Sequence, residues 1–359
     1  MFISRYQRAS VSLVSQRYLH RFIKKTSSNG TMALSFSPVY GFLHLPESDV
    51  HVEFVHFHPR ILAPASETER VKSILMFVPG NPGLVHFYEK FLLHIQEERP
   101  NIGVIGIGLT GHSSESKNNG RQFSLPEQVQ HKVEAIEHLK ATHPDAKFYL
   151  AGHSIGSFMI KEVLRIASDR FELARCFLLF PALRHLREQA GAINVLIKPG
   201  FRHLVAGIGG FISWTPNVFK RGLVKLFGPK IKDCPGSVER LFSYSTIMNI
   251  LYLTVTEFHI VRHLDHQTLE KHLDKIVFYY TKDDGWVPIE FFEDVKSRFP
   301  KHEHIYLDKH GVKHAFCLED SKTIAQEVLP FLHDSDKAGL EEPSQQASDP
   351  LTSIALLAS

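Results

Sequence analysis

Runs of consecutive apolar residues recur along the chain and alternate with stretches of helical spacing. The runs are short, as in strands that are covered on both faces of a parallel sheet. The predicted strands are 73–78, 101–109, 148–151, 174–180, 275–280 and 304–307. Helical spacing covers 88–98, 127–141, 157–167 and 321–332. Strands and helices that alternate with short connections predict an α/β fold with a mostly parallel central sheet and flanking helices.

Two further regions modify this pattern. Alternating apolar and polar residues at 39–43 and 51–57, separated by a turn at 46–49, predict a β-hairpin before the parallel strands. Between 182 and 269 the strand pattern disappears, and 238–264 reads as one long apolar helix. We therefore predict a core formed by residues 36–181 and 270–333, with a helical cap inserted at 182–269.

Both ends of the chain have compositions that differ from the core. Residues 1–35 are basic and rich in serine, and no acidic residue precedes Glu47. This segment is either similar to a mitochondrial presequence or a dispensable extension before Met32, and lies outside the fold in both cases. Residues 334–359 are rich in Ser, Gln, Glu and Pro, which is typical of a disordered tail.

Composition narrows the function classes. The net charge of +3 and the lack of a basic and aromatic run give no indication of nucleic-acid binding. The three cysteines, Cys176, Cys234 and Cys317, are widely spaced and form neither a disulfide framework nor a zinc motif. The 23 histidines are scattered and include no H-E-x-x-H pattern. We therefore predict no metal and no cofactor; the oligomeric state is not indicated.

The strand at 148–151 ends in Gly152-His153-Ser154-Ile155-Gly156 and is followed by helical spacing. A G-x-S-x-G sequence between a strand and a helix is typical of a nucleophile elbow, in which a tight turn exposes the serine hydroxyl. The motif also arises by chance, so it indicates a nucleophile only if the chain supplies a base and an acid as well. A serine becomes a good nucleophile only when a histidine can accept its proton and a carboxylate orients that histidine.

Two late loops supply candidates for these partners. The loop after 275–280 carries Asp283 and Asp284, and the loop after 304–307 carries His310 and His314. Sequence pattern favours Asp284 as the acid, because Trp286-Val287-Pro288 follows it, and His314 as the base, because Ala315-Phe316 follows it. Asp283 and His310 are the alternatives. The order serine, acid, histidine is that of the α/β-hydrolase arrangement.

An oxyanion hole needs two backbone N–H groups directed at the developing negative charge. Ile155 directly follows the serine and is one predicted donor. The turn Pro79-Gly80-Asn81-Pro82-Gly83 follows the strand at 73–78 and offers the other. Proline has no N–H, so Asn81 is the predicted second donor. In isolation the same turn would only end a strand.

Together, the P-G-N-P-G turn, Gly152-His153-Ser154-Ile155-Gly156, Asp284 with Pro288, and His314 with Phe316 resemble the lipid droplet-associated hydrolase family of the α/β-hydrolase superfamily. The resemblance runs from about residue 36 to 332. It implies a serine lipid hydrolase of the lipid droplet and endoplasmic reticulum surface, acting on sterol esters or neutral acylglycerols. Carried over by motif, Ser154 is the nucleophile, Asp284 the acid and His314 the base.

The predicted cap contains a segment, 189–232, with no acidic residue and with basic residues between apolar stretches. No apolar run reaches the length of a spanning helix. This pattern favours a membrane-seeking surface, although an ordinary cap over an apolar cleft would share part of it. The predicted partners are a lipid ester and a lipid droplet or endoplasmic reticulum surface. The alternatives are a lipid-droplet surface protein with weak catalysis, and an acyltransferase that uses the same three residues.

Overall fold

The computed structural model describes residues 25–26, 32–33, 36–58, 60–62, 66–67, 70–189, 191–227 and 230–333. Within the predicted N-terminal extension, Lys25–Thr26 and Met32–Ala33 form a separate antiparallel pair. The remainder of that extension and the predicted tail at 334–359 lie outside the described residues.

Eight strands form the central sheet: β1 Val39–Leu45, β2 Val50–His56, β3 Ser73–Val78, β4 Gly103–Ile107, β5 Lys147–His153, β6 Glu172–Leu179, β7 Ile276–Tyr280 and β8 Ile305–Leu307. Their order across the sheet is β8-β7-β6-β5-β3-β4-β2-β1. Strands β3 to β8 run parallel to one another, whereas β1 and β2 form an antiparallel hairpin whose second strand pairs antiparallel with β4. The mostly parallel sheet and the N-terminal hairpin that the sequence predicts are thus confirmed.

Helices cover both faces of the sheet. The described helices are α1 Glu89–Glu98, α2 Leu125–Thr142, α3 Ile155–Ala167, α4 Ile193–Leu196, α5 Pro199–Ser213, α6 Asn217–Phe227, α7 Tyr244–Ile260, α8 His266–Lys271, α9 Ile289–Arg298 and α10 Ser321–Val328. Buried side chains of α2, α3 and α9 belong to one apolar cluster, and those of α1 and α10 belong to another. Every residue of β3, β4 and β7 is buried, because the two clusters cover the two faces.

Helices α4 to α8 lie between β6 and β7 in the chain. The prediction of one helix over 238–264 is wrong: a short 3₁₀ helix, Val238–Leu241, precedes α7 and is separated from it. Ser243 explains the break, since its hydroxyl accepts a hydrogen bond from the Thr246 backbone N–H and caps α7. Among the described helices, none combines the length and apolar character needed to cross a membrane.

Parallel strands place their carboxyl ends at one edge of the sheet. The turn after β3, the turn after β5 and the loops after β7 and β8 all leave from that edge. Residues that are distant in sequence, at about positions 80, 154, 284 and 314, therefore lie close together.

Candidate active site

Strand β5 ends at His153, and α3 begins at Ile155, so Ser154 alone forms the turn. Ser154 has φ 54° and ψ −121°, a conformation that side-chain-bearing residues rarely adopt and that is found where structure holds a functional group in place. A Cβ atom at Gly152 would lie 2.5 Å from the Gly156 backbone, and one at Gly156 would lie 2.4 Å from the Val78 carbonyl oxygen. The turn can form only because both positions lack side chains.

Three side chains from three loops form a hydrogen-bonded line. His314 Nε2 lies 3.0 Å from Ser154 Oγ, and His314 Nδ1 lies 2.6 Å from Asp284 Oδ2. The other carboxylate oxygen, Asp284 Oδ1, accepts the backbone N–H groups of Trp286 at 2.8 Å and Val287 at 2.9 Å. Both oxygens of the buried carboxylate therefore have partners, which fixes the plane of the carboxylate and the orientation of the imidazole.

The two alternative residues lie elsewhere. Asp283 is exposed to solvent, although it is the sequence neighbour of Asp284. The side chain of His310 lies 3.3 Å from Glu327 on the surface, and its backbone N–H donates to Asp308. The structure thus brings Asp284 and His314 to Ser154 and leaves Asp283 and His310 away from it.

The turn after β3 lies against the serine. A Cβ atom at Gly80 would be 2.9 Å from the Cβ atom of Ser154, which leaves no room for a side chain between the two. Within the described part of the chain, no hydrogen bond engages the backbone N–H of Asn81 or of Ile155. Gly80, which precedes Asn81, thus lies against Ser154, and Ile155 follows Ser154 directly.

The side chain of Asn81 connects this turn to helix α7, a contact that sequence reasoning missed. Its amide Nδ2 lies 3.1 Å from the Ile250 carbonyl oxygen, 2.9 Å from Thr254 Oγ1 and 3.5 Å from Glu257 Oε1. Burial raises the pKa of Glu257 to about 8, and the Asn81 hydrogen bond opposes that rise. Helix α7 therefore packs directly over the turn that carries a predicted oxyanion donor.

Sequence reasoning also missed two buried side chains behind the serine. His153 Nδ1 lies 2.7 Å from the Tyr88 hydroxyl, and His153 Nε2 lies 2.9 Å from the His314 carbonyl oxygen. The Tyr88 hydroxyl also accepts the Gly80 backbone N–H at 3.2 Å. His153 stands at a variable position of the elbow motif and Tyr88 in an ordinary helical pattern, so that no sequence signal identified either.

These contacts give the site a definite chemical capacity. The Ser154 hydroxyl can pass its proton to the neighbouring imidazole nitrogen of His314, and the carboxylate of Asp284 stabilises the imidazolium that results. A backbone N–H group beside the serine, such as that of Ile155, can stabilise negative charge on a tetrahedral adduct. The arrangement is suited to nucleophilic substitution at a carbonyl carbon.

Solved structures with similar folds include hydrolases of several kinds. A carboxylesterase of Nitrososphaera gargenis aligns with a TM-score of 0.54 at 14% identity and covers 81% of this chain and 97% of its own. An epoxide hydrolase from Vigna radiata aligns with a TM-score of 0.55 at 12% identity, covering 82% and 97%. A further neighbour, an epoxide hydrolase of the α/β-hydrolase superfamily, has a TM-score of 0.54 at 14% identity and covers 84% and 99%. The chain has the α/β-hydrolase fold.

Sequence relatives narrow this assignment. Lipid droplet-associated hydrolase of Drosophila melanogaster is 29% identical over 275 residues, covering 72% of this chain and 88% of its own. The protein of that name from Homo sapiens is 28% identical over 291 residues, covering 74% and 86%. The family model for lipid-droplet associated hydrolases matches residues 71–317, a range that includes the elbow, the acid loop and the histidine loop. On this evidence the chain belongs to the lipid droplet-associated hydrolase family.

Proposed function

We propose that this chain is a serine hydrolase that cleaves esters of hydrophobic lipids through an acyl-enzyme on Ser154. The observation that carries the proposal is the hydrogen-bonded line from Ser154 through His314 to Asp284, at a turn with positive φ. A buried line of this kind, with one end partly open to solvent at the serine, is the arrangement that activates a hydroxyl for attack on a carbonyl carbon.

The proposed reaction has two halves. Ser154 Oγ attacks the ester carbonyl carbon while His314 Nε2 takes its proton, and the oxyanion accepts the N–H groups of Ile155 and Asn81. His314 then protonates the leaving alcohol as the carbon–oxygen bond to it breaks. A water molecule next attacks the acyl-enzyme as His314 removes its proton, and the acid is released as that proton returns to Ser154. Asp284 holds the Nδ1–H tautomer throughout.

An apolar surface on α5 and α6 supports a lipid as the substrate class. Trp214 is 90% exposed and Phe211 is 76% exposed, and neighbouring apolar side chains are exposed with them. We define this apolar surface by Phe201, Leu204, Ile208, Phe211, Trp214, Val218, Phe219 and Leu226. Large exposed apolar patches mark sites of contact with partners or membranes.

The charges around this surface favour a lipid monolayer or bilayer as the partner. No acidic residue occurs from 189 to 232, whereas lysine and arginine occur throughout that segment. Anionic headgroups attract basic residues placed beside an inserted apolar face. We propose that residues 182–269 form a cap on a core made of 36–181 and 270–333, and that the cap docks on a lipid droplet or on the cytosolic face of the endoplasmic reticulum.

The proposal is tested by labelling the purified protein with a fluorophosphonate probe, which reacts with activated serines. We expect wild type to be labelled and Ser154→Ala to remain unlabelled while both unfold at similar temperatures. Full labelling of the Ser154→Ala protein would show that the nucleophile lies elsewhere. Lipidomics of cells that express either form then identifies the ester, because the true substrate accumulates only where Ser154 is absent.

The exposed apolar surface also favours a second function, that of a lipid-surface protein with slight catalysis. Cells that express Ser154→Ala, or a chain with α5 and α6 replaced by a short polar linker, distinguish the two functions. If changes in stored lipid follow the serine, the hydrolase proposal is supported. If stored lipid changes when α5 and α6 are replaced and does not change in Ser154→Ala, the surface function is supported.

A further inference from the structure

Tyr88 and His153 form a buried link between three parts of the site, and the proposed reaction uses neither of them. Tyr88 is 3% exposed and His153 is 4% exposed. One ring nitrogen of His153 contacts the Tyr88 hydroxyl at 2.7 Å, and the other contacts the His314 carbonyl oxygen at 2.9 Å. The Gly80 backbone N–H lies 3.2 Å from the same Tyr88 hydroxyl. The link therefore joins the turn after β3, the elbow and the loop that carries the proposed base.

The chemistry of the partners decides the position of each proton. A carbonyl oxygen only accepts, so His153 Nε2 carries a hydrogen and donates it to His314. Burial lowers the pKa of His153 well below its usual range, and the nearby His314 lowers it further, so the ring is neutral. A neutral ring has one N–H, which leaves Nδ1 as an acceptor for the Tyr88 O–H. Tyr88 in turn accepts the N–H of Gly80, and its hydroxyl also meets the thiol of Cys317.

We propose that His153 is a positioning residue, which works with Tyr88 to hold the oxyanion turn and the base loop in register with Ser154. The proposal rests on the proposed function and concerns the same site. His153 is covalently adjacent to the nucleophile, and its ring centroid lies 5.0 Å from that of His314. Gly80 is in contact with Ser154 and precedes the proposed donor Asn81. The His153 side chain thus connects both the oxyanion turn and the base loop to the residue beside Ser154.

A link of this kind has a kinetic consequence. If the His314 backbone moves, the 3.0 Å contact between His314 Nε2 and Ser154 Oγ lengthens, and proton transfer slows. Displacements of about 1 Å at reacting groups can reduce rates by roughly 100-fold. Binding of a short ester in the ground state does not require this proton transfer. Loss of the link should therefore lower kcat and leave KM nearly unchanged.

Two substitutions of His153 separate its two hydrogen bonds. The amide nitrogen of glutamine can occupy the place of Nε2, and the amide oxygen of asparagine can occupy the place of Nδ1. His153→Gln therefore keeps a donor for the His314 carbonyl, whereas His153→Asn keeps an acceptor for Tyr88 and loses that donor. With a short p-nitrophenyl ester, we expect kcat to fall on the order of 100-fold in His153→Asn. In His153→Gln we expect kcat to fall by no more than about tenfold. KM should stay within about twofold in both.

A buried histidine elsewhere provides the matched control. His143 Nε2 contacts the Ile61 carbonyl oxygen at 2.8 Å, and its Nδ1 accepts the Val71 backbone N–H at 3.2 Å. Like His153 it is a buried histidine with both ring nitrogens hydrogen-bonded, but it lies between α2 and β5, at the amino end of that strand. His143→Asn should lower the Tm and leave kcat of the folded protein unchanged. If His153→Asn retains wild-type kcat, or loses no more than His143→Asn, the positioning role is wrong.

A second measurement does not depend on esterase activity. In protein labelled with ¹⁵N-histidine, NMR chemical shifts identify the tautomer of each ring. We expect His153 to be neutral with its proton on Nε2 at pH 7, and its Nε2–H signal to move in Tyr88→Phe. A charged ring or an Nδ1–H tautomer would overturn the network. Failure of the proposed function would instead appear as a wild-type protein without esterase activity that still shows the Nε2–H signal.

Discussion

Asp284 and Asp283 are adjacent in the chain and lie in opposite environments. Asp284 is buried with both oxygens hydrogen-bonded, whereas Asp283 faces solvent. In Asp284→Asn, one amide oxygen cannot replace both carboxylate oxygens. If the oxygen accepts the two backbone N–H groups, the NH₂ group donates to His314 Nδ1 and favours the tautomer that cannot take the serine proton; if the oxygen accepts from His314, the NH₂ group faces two N–H donors. The first orientation leaves every donor paired, so we expect kcat to fall on the order of 10⁴-fold.

The neighbouring substitution serves as the control for this experiment. Asp283→Asn removes the same charge from the same loop and touches no group of the proposed line. Its kcat with a short soluble ester should stay within about twofold of wild type. A large loss in Asp283→Asn together with a small one in Asp284→Asn would reverse the assignment of the acid.

Glu257 is a buried carboxyl group whose pKa is raised to about 8, chiefly by burial. Its folded pKa is above its unfolded value, so its protonated form stabilises the fold at low pH, and that stability is lost as pH rises from about 4.5 toward 8. Glu257→Gln keeps the shape and stays neutral. The free energy of unfolding of the variant relative to wild type should therefore increase across this window, by up to about 5 kcal/mol.

Urea unfolding at a series of pH values measures this difference directly. The control is Glu98→Gln, which changes an exposed glutamate at the end of α1 and should give a difference that does not vary with pH in this window. A pH-independent difference for Glu257→Gln would mean that folding does not raise the pKa of Glu257.

Some of these side chains could be identified from the sequence and others could not. Ser154, Asp284 and His314 lie in short local patterns whose residue types follow from the chemistry and from the strand-then-loop context. The assignment of their roles stays a prediction, although the structure brings the three together. Tyr88, His153 and Glu257 owe their significance to contacts with residues far along the chain. Single-sequence patterns carry no information on such contacts.

The elbow between β5 and α3 brings backbone groups into close contact at both of its glycines. The Cβ atom of Gly156→Ala would be 2.4 Å from the Val78 carbonyl oxygen, so α3 would have to move away from β3. We expect the free energy of unfolding to fall by about 3 kcal/mol and fluorophosphonate labelling of Ser154 to be lost. Gly207 lies in the exposed middle of α5 and has open space around its Cβ position.

Gly207→Ala is the matched control because it places the same methyl group in a helix without a clash. Alanine favours the helix over glycine, so the control should stabilise the protein by about 0.5–1 kcal/mol. Thermal unfolding of both variants and of wild type gives the comparison. If Gly156→Ala keeps the stability and the fluorophosphonate labelling of wild type, α3 lies farther from β3 than these distances indicate.

Buried parallel strands were predictable with boundaries within about two residues, because consecutive apolar residues have few alternatives to a fully covered strand. Helices between β6 and β7 were less predictable. The apolar run through 238–264 hid the break before α7, since hydrophobicity alone does not reveal a change of direction. The serine at 243, a common N-cap residue, was the available signal for a new helix start.

The arrangement of the entire chain separates the proposed chemistry from the proposed contact with lipid. The order of strands and loops along the chain predicted which loops meet at the carboxyl edge of the sheet, because parallel connections follow fixed rules. The sequence did not predict that Asn81 would connect this edge to α7, or which apolar helices would stay exposed. Exposure depends on how the helices pack on one another, and composition alone does not determine packing.

The apolar surface and Ser154 should be separable by mutation. In the variant Phe211→Ser with Trp214→Ser, two side chains that are 76% and 90% exposed become polar without opening a cavity. Each aromatic group contributes roughly 1.5–3 kcal/mol when it leaves water, so binding to phospholipid-coated triolein droplets should weaken by about 100-fold or more. Hydrolysis of a short soluble ester should be unchanged, since neither residue touches the proposed line.

Two control proteins complete this experiment, with droplet flotation as the measure of binding. Ser154→Ala should float with the droplets as wild type does and hydrolyse nothing. Ile260→Ser changes an exposed apolar residue outside α5 and α6 and should also float normally. The double variant then loses droplet binding and Ser154→Ala loses ester hydrolysis. Binding and hydrolysis can therefore each be measured in the absence of the other. Normal flotation of the double variant would place the lipid contact on another surface, and loss of soluble esterase activity in it would show that the two steps are coupled through the cap.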